Sequence, residues 1–191
     1  MRRMTRERFL SDAELARFMA AVRDRVHVHQ PRDHALFALL ANTGMRPSEA
    51  LALTRRQVHV YARPPWVRVV RLKKRKTVPE FDDLEITGEL AAIVMNYLET
   101  TAPKGDGRLF TITRRQTERL FHWYRNKAEI PPRHVLYVLR HTAGTRIYRA
   151  TRDIKIVQAI LGHEKPETSA IYAHIPQSVM QEILDGLPPV V

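Results

Sequence analysis

His34-Ala-Leu-Phe-Ala-Leu-Leu-Ala41-Asn42-Thr43-Gly44-Met45-Arg46-Pro47-Ser48-Glu49-Ala50-Leu51-Ala52-Leu53 reads as a buried helix, a stop and a second helix. The run from His34 to Ala41 is almost wholly apolar, which suits a helix inside a core. Asn42-Thr43-Gly44 ends it, because glycine enters the left-handed conformation of a helix C-terminus without a Cβ penalty. Pro47 then fits the first turn of a new helix, where its missing N–H costs nothing. Between the two lies Arg46, presented at a helix start with Glu49 three residues on.

Working outward, Ser11-Asp-Ala-Glu14 is a capping box that opens a helix with Leu15, Phe18, Met19 and Val22 on one face. Residues 57 to 86 change character. Val58, Val60, Trp66, Val67, Val69 and Val70 favour strands, and Pro64-Pro65 and Asp82-Asp83 punctuate them. A small antiparallel sheet of two or three strands is expected there. Helices are then expected over Gly88–Leu98, Thr113–Lys127 (with a Thr113/Gln116 capping pair), Leu136–Arg149, Asp153–Leu161, Glu167–Tyr172 and Gln177–Leu184. The fold class is mainly α with a small antiparallel β-sheet (α+β). No repeat or Gly/Ser linker divides the chain, so residues 1–191 read as a single domain.

Composition narrows the function. With 44% hydrophobic and 27% charged residues the chain is globular, not disordered, and no apolar run approaches the ~18 residues that span a bilayer. No signal-peptide stretch follows the basic N-terminus, so a cytoplasmic setting without membrane partners is expected. There is no cysteine, which excludes disulfides and thiolate metal sites. The net charge of +12 favours a polyanionic partner, although a solubility surplus would look the same by itself.

Three segments carry the chemistry: Thr43-Gly-Met-Arg46-Pro-Ser-Glu49, Leu139-Arg140-His141-Thr142, and Leu161-Gly162-His163 with Tyr172 nine residues further on. Taken singly, each has an ordinary reading as a surface arginine, a helix ending at glycine, or a packing tyrosine. In this joint order and spacing, from about Thr5 to His174, they closely resemble the signature of the tyrosine recombinase (phage integrase) family.

That resemblance implies a chemistry that suits these residue types. Arg46 and Arg140 would clamp the non-bridging oxygens of a phosphodiester, since a guanidinium fork matches them bidentately. His163 would add a hydrogen bond to the same phosphate. Tyr172 would be the nucleophile; its phenol, with an ordinary pKa of ~10, needs positive surroundings or a base to attack near neutral pH. The product would be a 3′-phosphotyrosyl link, made with no metal and no cofactor. Glu49 and His141 would hold the site from behind.

The family draws the proton for the leaving 5′-oxygen from a hairpin lysine. In Arg71-Leu-Lys73-Lys74-Arg75-Lys76-Thr77-Val-Pro79 the Lys-Thr pattern selects Lys76, with Lys74 and then Lys73 behind it. One departure stands out. Tyr137 occupies the position three before Arg140 where the family often has histidine, and a phenol cannot act as an imidazole base. His134 lies six residues before Arg140 and is not promoted. His27 and His29, at i, i+2, would not share a helix face, and the basic run Arg114-Arg115, Arg119, Arg125-Asn-Lys127 reads first as a solvated face.

The resemblance further implies double-stranded DNA as partner, a homotetramer on DNA, and accessory DNA-bending proteins as candidate partners. The N-terminal clamp domain usual in the family is expected to be absent, which would weaken DNA affinity. Residues 176–191 could pack on their own domain or form a C-terminal docking helix for a neighbouring subunit. Site-specific recombination is the leading function. The alternatives are a catalytically impaired DNA-binding module of the same fold and a type IB-like topoisomerase.

Overall fold

The computed structural model describes residues 9–71 and 80–162. Helix α1 (Asp12–Arg23) opens on the capping box read from sequence: the Ser11 hydroxyl accepts from the Glu14 N–H, and the Glu14 carboxylate accepts from the Ser11 N–H at 2.9 Å. Helix α2 (Gln30–Thr43) starts four residues before His34. Its first turn holds Pro31 and Asp33, so it lacks the apolar pattern that marks the rest. Gly44 ends α2 at φ 63°, and α3 (Pro47–Ala52) follows with Pro47 in its first turn.

A turn of 3₁₀ helix leads into β1 (Val58–His59), β2 (Trp66–Arg71) and β3 (Glu80–Glu85), which pair antiparallel in the order β1-β2-β3. In β2, Val67, Val69 and Arg71 are buried while Arg68 is exposed, the period-two alternation of a sheet with one covered face. Helices α4 (Gly88–Thr100), α5 (Arg114–Lys127), α6 (Val138–Thr151) and α7 (Ile154–Leu161) complete the described fold. Thr113 and Gln116 form the expected capping box of α5. The helices expected over Glu167–Tyr172 and Gln177–Leu184 lie outside the described residues.

The core is continuous from Leu10 to Leu139, with α2 at its centre. Phe18 meets Phe37 edge-on at 5.4 Å and Phe121 at 5.3 Å, which joins α1, α2 and α5 by aromatic packing. Beneath them Asp33 is fully buried but satisfied: it accepts from Tyr124 Oη at 2.7 Å, from Arg25 at 3.2 Å and from Arg32 at 2.7 Å. A buried carboxylate survives only with such partners. Burial and Asp33 together hold the Tyr124 phenol well above its ordinary range. Helices α6 and α7 share a smaller apolar cluster of Ile147, Val157, Ile160 and Leu161. It hangs α7 on the body of the domain.

Two readings needed correction. Arg125 belongs to no solvated face, being buried with its Nη1 on the carbonyls of Pro132 and His134 at 2.9 and 3.0 Å. His27 and His29 sit ahead of α2 and not within a helix; their rings are 5.2 Å apart, and His27 Nδ1 accepts from the His29 N–H.

Candidate active site

The turn between α2 and α3 builds the first part of the site. Thr43 Oγ1 donates to the Leu39 carbonyl at 2.7 Å and accepts from the Met45 N–H, which fixes the chain around Gly44. A Cβ on Gly44 would lie 2.4 Å from Leu161 and 3.1 Å from Ala143, so glycine is required for space as well as for its positive φ. Arg46 follows at the N-cap of α3. Glu49, fully buried, turns back to it: Oε2 accepts the Arg46 N–H at 2.7 Å, and Oε1 accepts Arg46 Nη1 at 3.0 Å. Arg46 is therefore aimed by a buried carboxylate while about a third of its side chain stays exposed.

Arg140 comes from the first turn of α6 and is buried. Its Nη1 donates to the Gly44 carbonyl and its Nη2 to the Leu161 carbonyl, each at 2.7 Å. It thus joins the Arg46 turn to the last turn of α7. A guanidinium carries more N–H donors than these two carbonyls take, so Arg140 can still present some to a ligand. Arg140 also lines a cleft of about 320 Å³ between α6 and α7, together with Tyr137, His141, Gly144, Tyr148 and Leu161. Burial pushes the Arg140 pKa down and Tyr137 opposes this; Arg46 then lowers it, Glu49 raises it and Arg71 lowers it. Arg140 remains a cation near neutral pH, since its guanidinium delocalises the charge.

Arg71 was not among the residues singled out from sequence. It ends β2 with 2% of its side chain exposed. Its Nη1 donates to Glu49 Oε2 at 3.2 Å, its Nε to Asp82 at 2.5 Å, and its Nη2 to the Ile160 carbonyl at 3.1 Å. A Cβ on Gly162, whose φ is 63°, would stand 2.7 Å from the Arg71 guanidinium carbon. The signal was present in the Val67, Val69, Arg71 alternation, which puts an arginine on the covered face.

Tyr137 caps α6 at its N-terminus, partly exposed, with its ring 5.1 Å from that of His141. His141 is exposed on α6 beside it. His134 lies in the segment before α6, buried, so helical spacing does not apply to it. Of the residues expected to act together, Arg46 and Glu49 stand at the start of α3, where Arg140 reaches the Gly44 carbonyl, and Tyr137, Arg140 and His141 at the start of α6 line the cleft against α7. Lys73, Lys74, Lys76, His163 and Tyr172 lie outside the described residues. The chain leaves the described part toward the three lysines at Arg71, and toward His163 at Gly162. Among the described residues no cluster of acidic or histidine side chains could hold a metal ion.

Residues 8–178 match the model of the phage integrase family. The chain belongs to that family. Among the curated relatives of this chain, tyrosine recombinase XerC of Neisseria meningitidis serogroup C is 34% identical over 154 residues, covering 75% of this chain and 47% of the relative. Tyrosine recombinase XerD of Shewanella oneidensis is 28% identical over 182 residues, covering 91% and 59%. The chain spans about half the length of the curated relatives it matches. The fold is shared with solved structures. The integrase from mycobacterium phage Brujita matches with a TM-score of 0.73 at 19% identity, covering 99% of this chain and 61% of that one. XerH recombinase, in a pre-cleavage complex with its difH substrate, gives 0.69 at 22% identity, covering 88% and 50%.

Proposed function

We propose that this chain is the catalytic domain of a site-specific recombinase that cleaves and rejoins double-stranded DNA through a 3′-phosphotyrosyl bond at Tyr172. The observation that carries it is the pairing of Arg46 and Arg140 across one turn. Arg140 holds the Gly44 carbonyl, two residues from Arg46, and the two cations are near enough to act on each other's charge. Arg46 and Arg71 pair with the carboxylates of Glu49 and Asp82, while Arg140 donates to the neutral Gly44 and Leu161 carbonyls. That leaves a surplus positive charge, which the scissile phosphate would neutralise.

The reaction balances without outside reagents. The Tyr172 oxygen attacks phosphorus as its proton passes to water, a new P–O bond joins Tyr172 to the phosphate that stays on the 3′ side, and the bond to the 5′-oxygen breaks. The 5′-oxygen takes a proton, assigned to Lys76, with Lys74 and Lys73 as the next candidates. Arg46, Arg140 and His163 hold the non-bridging oxygens as charge builds there, in a site organised before DNA arrives. The phosphotyrosyl bond conserves the energy of the phosphodiester, so reversal by a 5′-hydroxyl needs no nucleotide cofactor. Tyr137 offers a hydroxyl where the family often has an imidazole, which suits a hydrogen bond to phosphate better than proton abstraction. Glu49 aims Arg46, and His141 supports Tyr137.

The reading extends to a homotetramer on DNA, in the cytoplasm, with accessory DNA-bending proteins as further partners and residues 176–191 as the docking segment. It is tested by trapping the chain on a pool of nicked, randomised duplexes and sequencing the DNA that stays bound through SDS. One enriched sequence supports a recombinase. Unselected sequences, with relaxation of an arbitrary supercoiled plasmid, would indicate a topoisomerase. Binding without any covalent product would indicate a DNA-binding module.

A further inference from the structure

We propose that Arg71 is a positioning residue for the phosphate clamp, acting through Glu49 on Arg46 and through the end of α7 on Arg140. The inference rests on the recombinase reading above. Four features support it. The Arg71 side chain is all but fully buried, so its charge is held out of water at a cost that needs a return. It is neutralised chiefly by Asp82 on β3, at 2.5 Å, and less closely by Glu49, at 3.2 Å. Among the described residues, Arg46 Nη1 is thus the donor to Glu49 Oε1, and Arg71 donates to the other oxygen.

The third feature is how the two arginines share a helix end. Arg71 takes the Ile160 carbonyl and Arg140 takes the Leu161 carbonyl, adjacent acceptors in the last turn of α7. Cations are favoured there because the final carbonyls of a helix are unpaired and carry its negative dipole end. If Arg71 released Ile160, that turn would be free to shift, and Arg140 would shift with Leu161. The fourth is Gly162, which leaves room only for the guanidinium: any Cβ there would strike it at 2.7 Å. One side chain thus registers the sheet, α3 and α7 against each other. Lysine cannot replace it, because an ammonium lacks the planar fork that meets Asp82, Glu49 and Ile160 at once.

The test compares wild type, Arg71→Lys and Asp82→Asn on two suicide duplexes of the trapped sequence. One carries the natural scissile phosphodiester and the other a methylphosphonate, which lacks one charged non-bridging oxygen. If Arg71 works through the clamp, Arg71→Lys loses roughly tenfold to a hundredfold in cleavage rate on the phosphodiester, with DNA affinity unchanged. On the methylphosphonate it stays within about threefold of wild type, because the clamp has less charge to hold. Asp82→Asn shows the same selective loss in smaller measure, and decides the matter if Arg71→Lys does not fold. Equal losses on both substrates, or no loss on either, would overturn the proposal. Absence of any covalent product from wild type would instead sink the recombinase reading itself.

Discussion

Arg140 and Leu161 are tied by a 2.7 Å hydrogen bond from a guanidinium Nη2 to a backbone carbonyl, and the same guanidinium grips Gly44 at 2.7 Å. An arginine expected to hold DNA is therefore also a structural bolt between two turns. This double duty separates the effects of its replacements. Arg140→Ala should lower cleavage by orders of magnitude and also destabilise the fold by about 2–4 kcal/mol, since two buried carbonyls lose their donors. Arg140→Lys should keep part of the stability and little of the activity, because one ammonium cannot span both carbonyls and a phosphate. Thermal melts beside single-turnover cleavage rates check this. A variant with normal cleavage would remove Arg140 from the clamp.

Gly44 makes a sharper packing prediction. A Cβ there would meet Leu161 at 2.4 Å while the backbone sits at φ 63°. Gly44→Ala should cost about 2–4 kcal/mol from strain and overpacking combined. Urea unfolding should show the midpoint falling with little change in slope. An unchanged midpoint would mean that α7 is not seated against this turn.

Glu49 is fully buried between two arginines. Glu49→Ala would leave Arg46 unaimed and Arg71 short of a partner, with an expected destabilisation of about 3–5 kcal/mol. Glu49→Gln keeps the shape and an acceptor, so it should be milder in stability yet still slow cleavage through Arg46. If Glu49→Gln cleaved DNA at the wild-type rate, the carboxylate charge would have no part in aiming Arg46.

Asp33 provides the contrast. It is as deeply buried as Glu49, but its partners Tyr124, Arg25 and Arg32 are gathered where α1, α2 and α5 meet. Asp33→Ala should cost about 3–5 kcal/mol of stability and leave the cleavage rate of the folded fraction unaltered. Rates measured well below the melting temperature, corrected for active-site concentration, test that separation.

Much of this architecture was legible because local rules and global fold agree. Ser11 with Glu14, Thr113 with Gln116, and Gly44 before Pro47 each have a single good conformation, and each adopts it. The motifs singled out Arg46, Glu49 and Arg140, and the fold places them near one another: Glu49 accepts from Arg46, and Arg140 donates to the Gly44 carbonyl two residues before Arg46. What was not legible depends on burial set by distant chain. Arg125 looks like one of several surface cations, and only the carbonyls of Pro132 and His134 folding over it make it internal. Arg71 sits in a basic stretch that hides it, and its role is set by Asp82, Glu49 and Ile160, which are far from it or far from one another in sequence. Arg140 was foreseen as a phosphate ligand, but its hold on two backbone carbonyls has no sequence signature.

The proposed recombinase chemistry requires that Tyr172 become covalently joined to DNA. The most direct measurement incubates wild type and Tyr172→Phe with nicked duplexes, separates covalent species on SDS gels, and maps the DNA-linked peptide by mass spectrometry. Wild type alone should give a band, with the phosphate on Tyr172. A covalent product that survives in Tyr172→Phe, or one that maps to another residue, would contradict it.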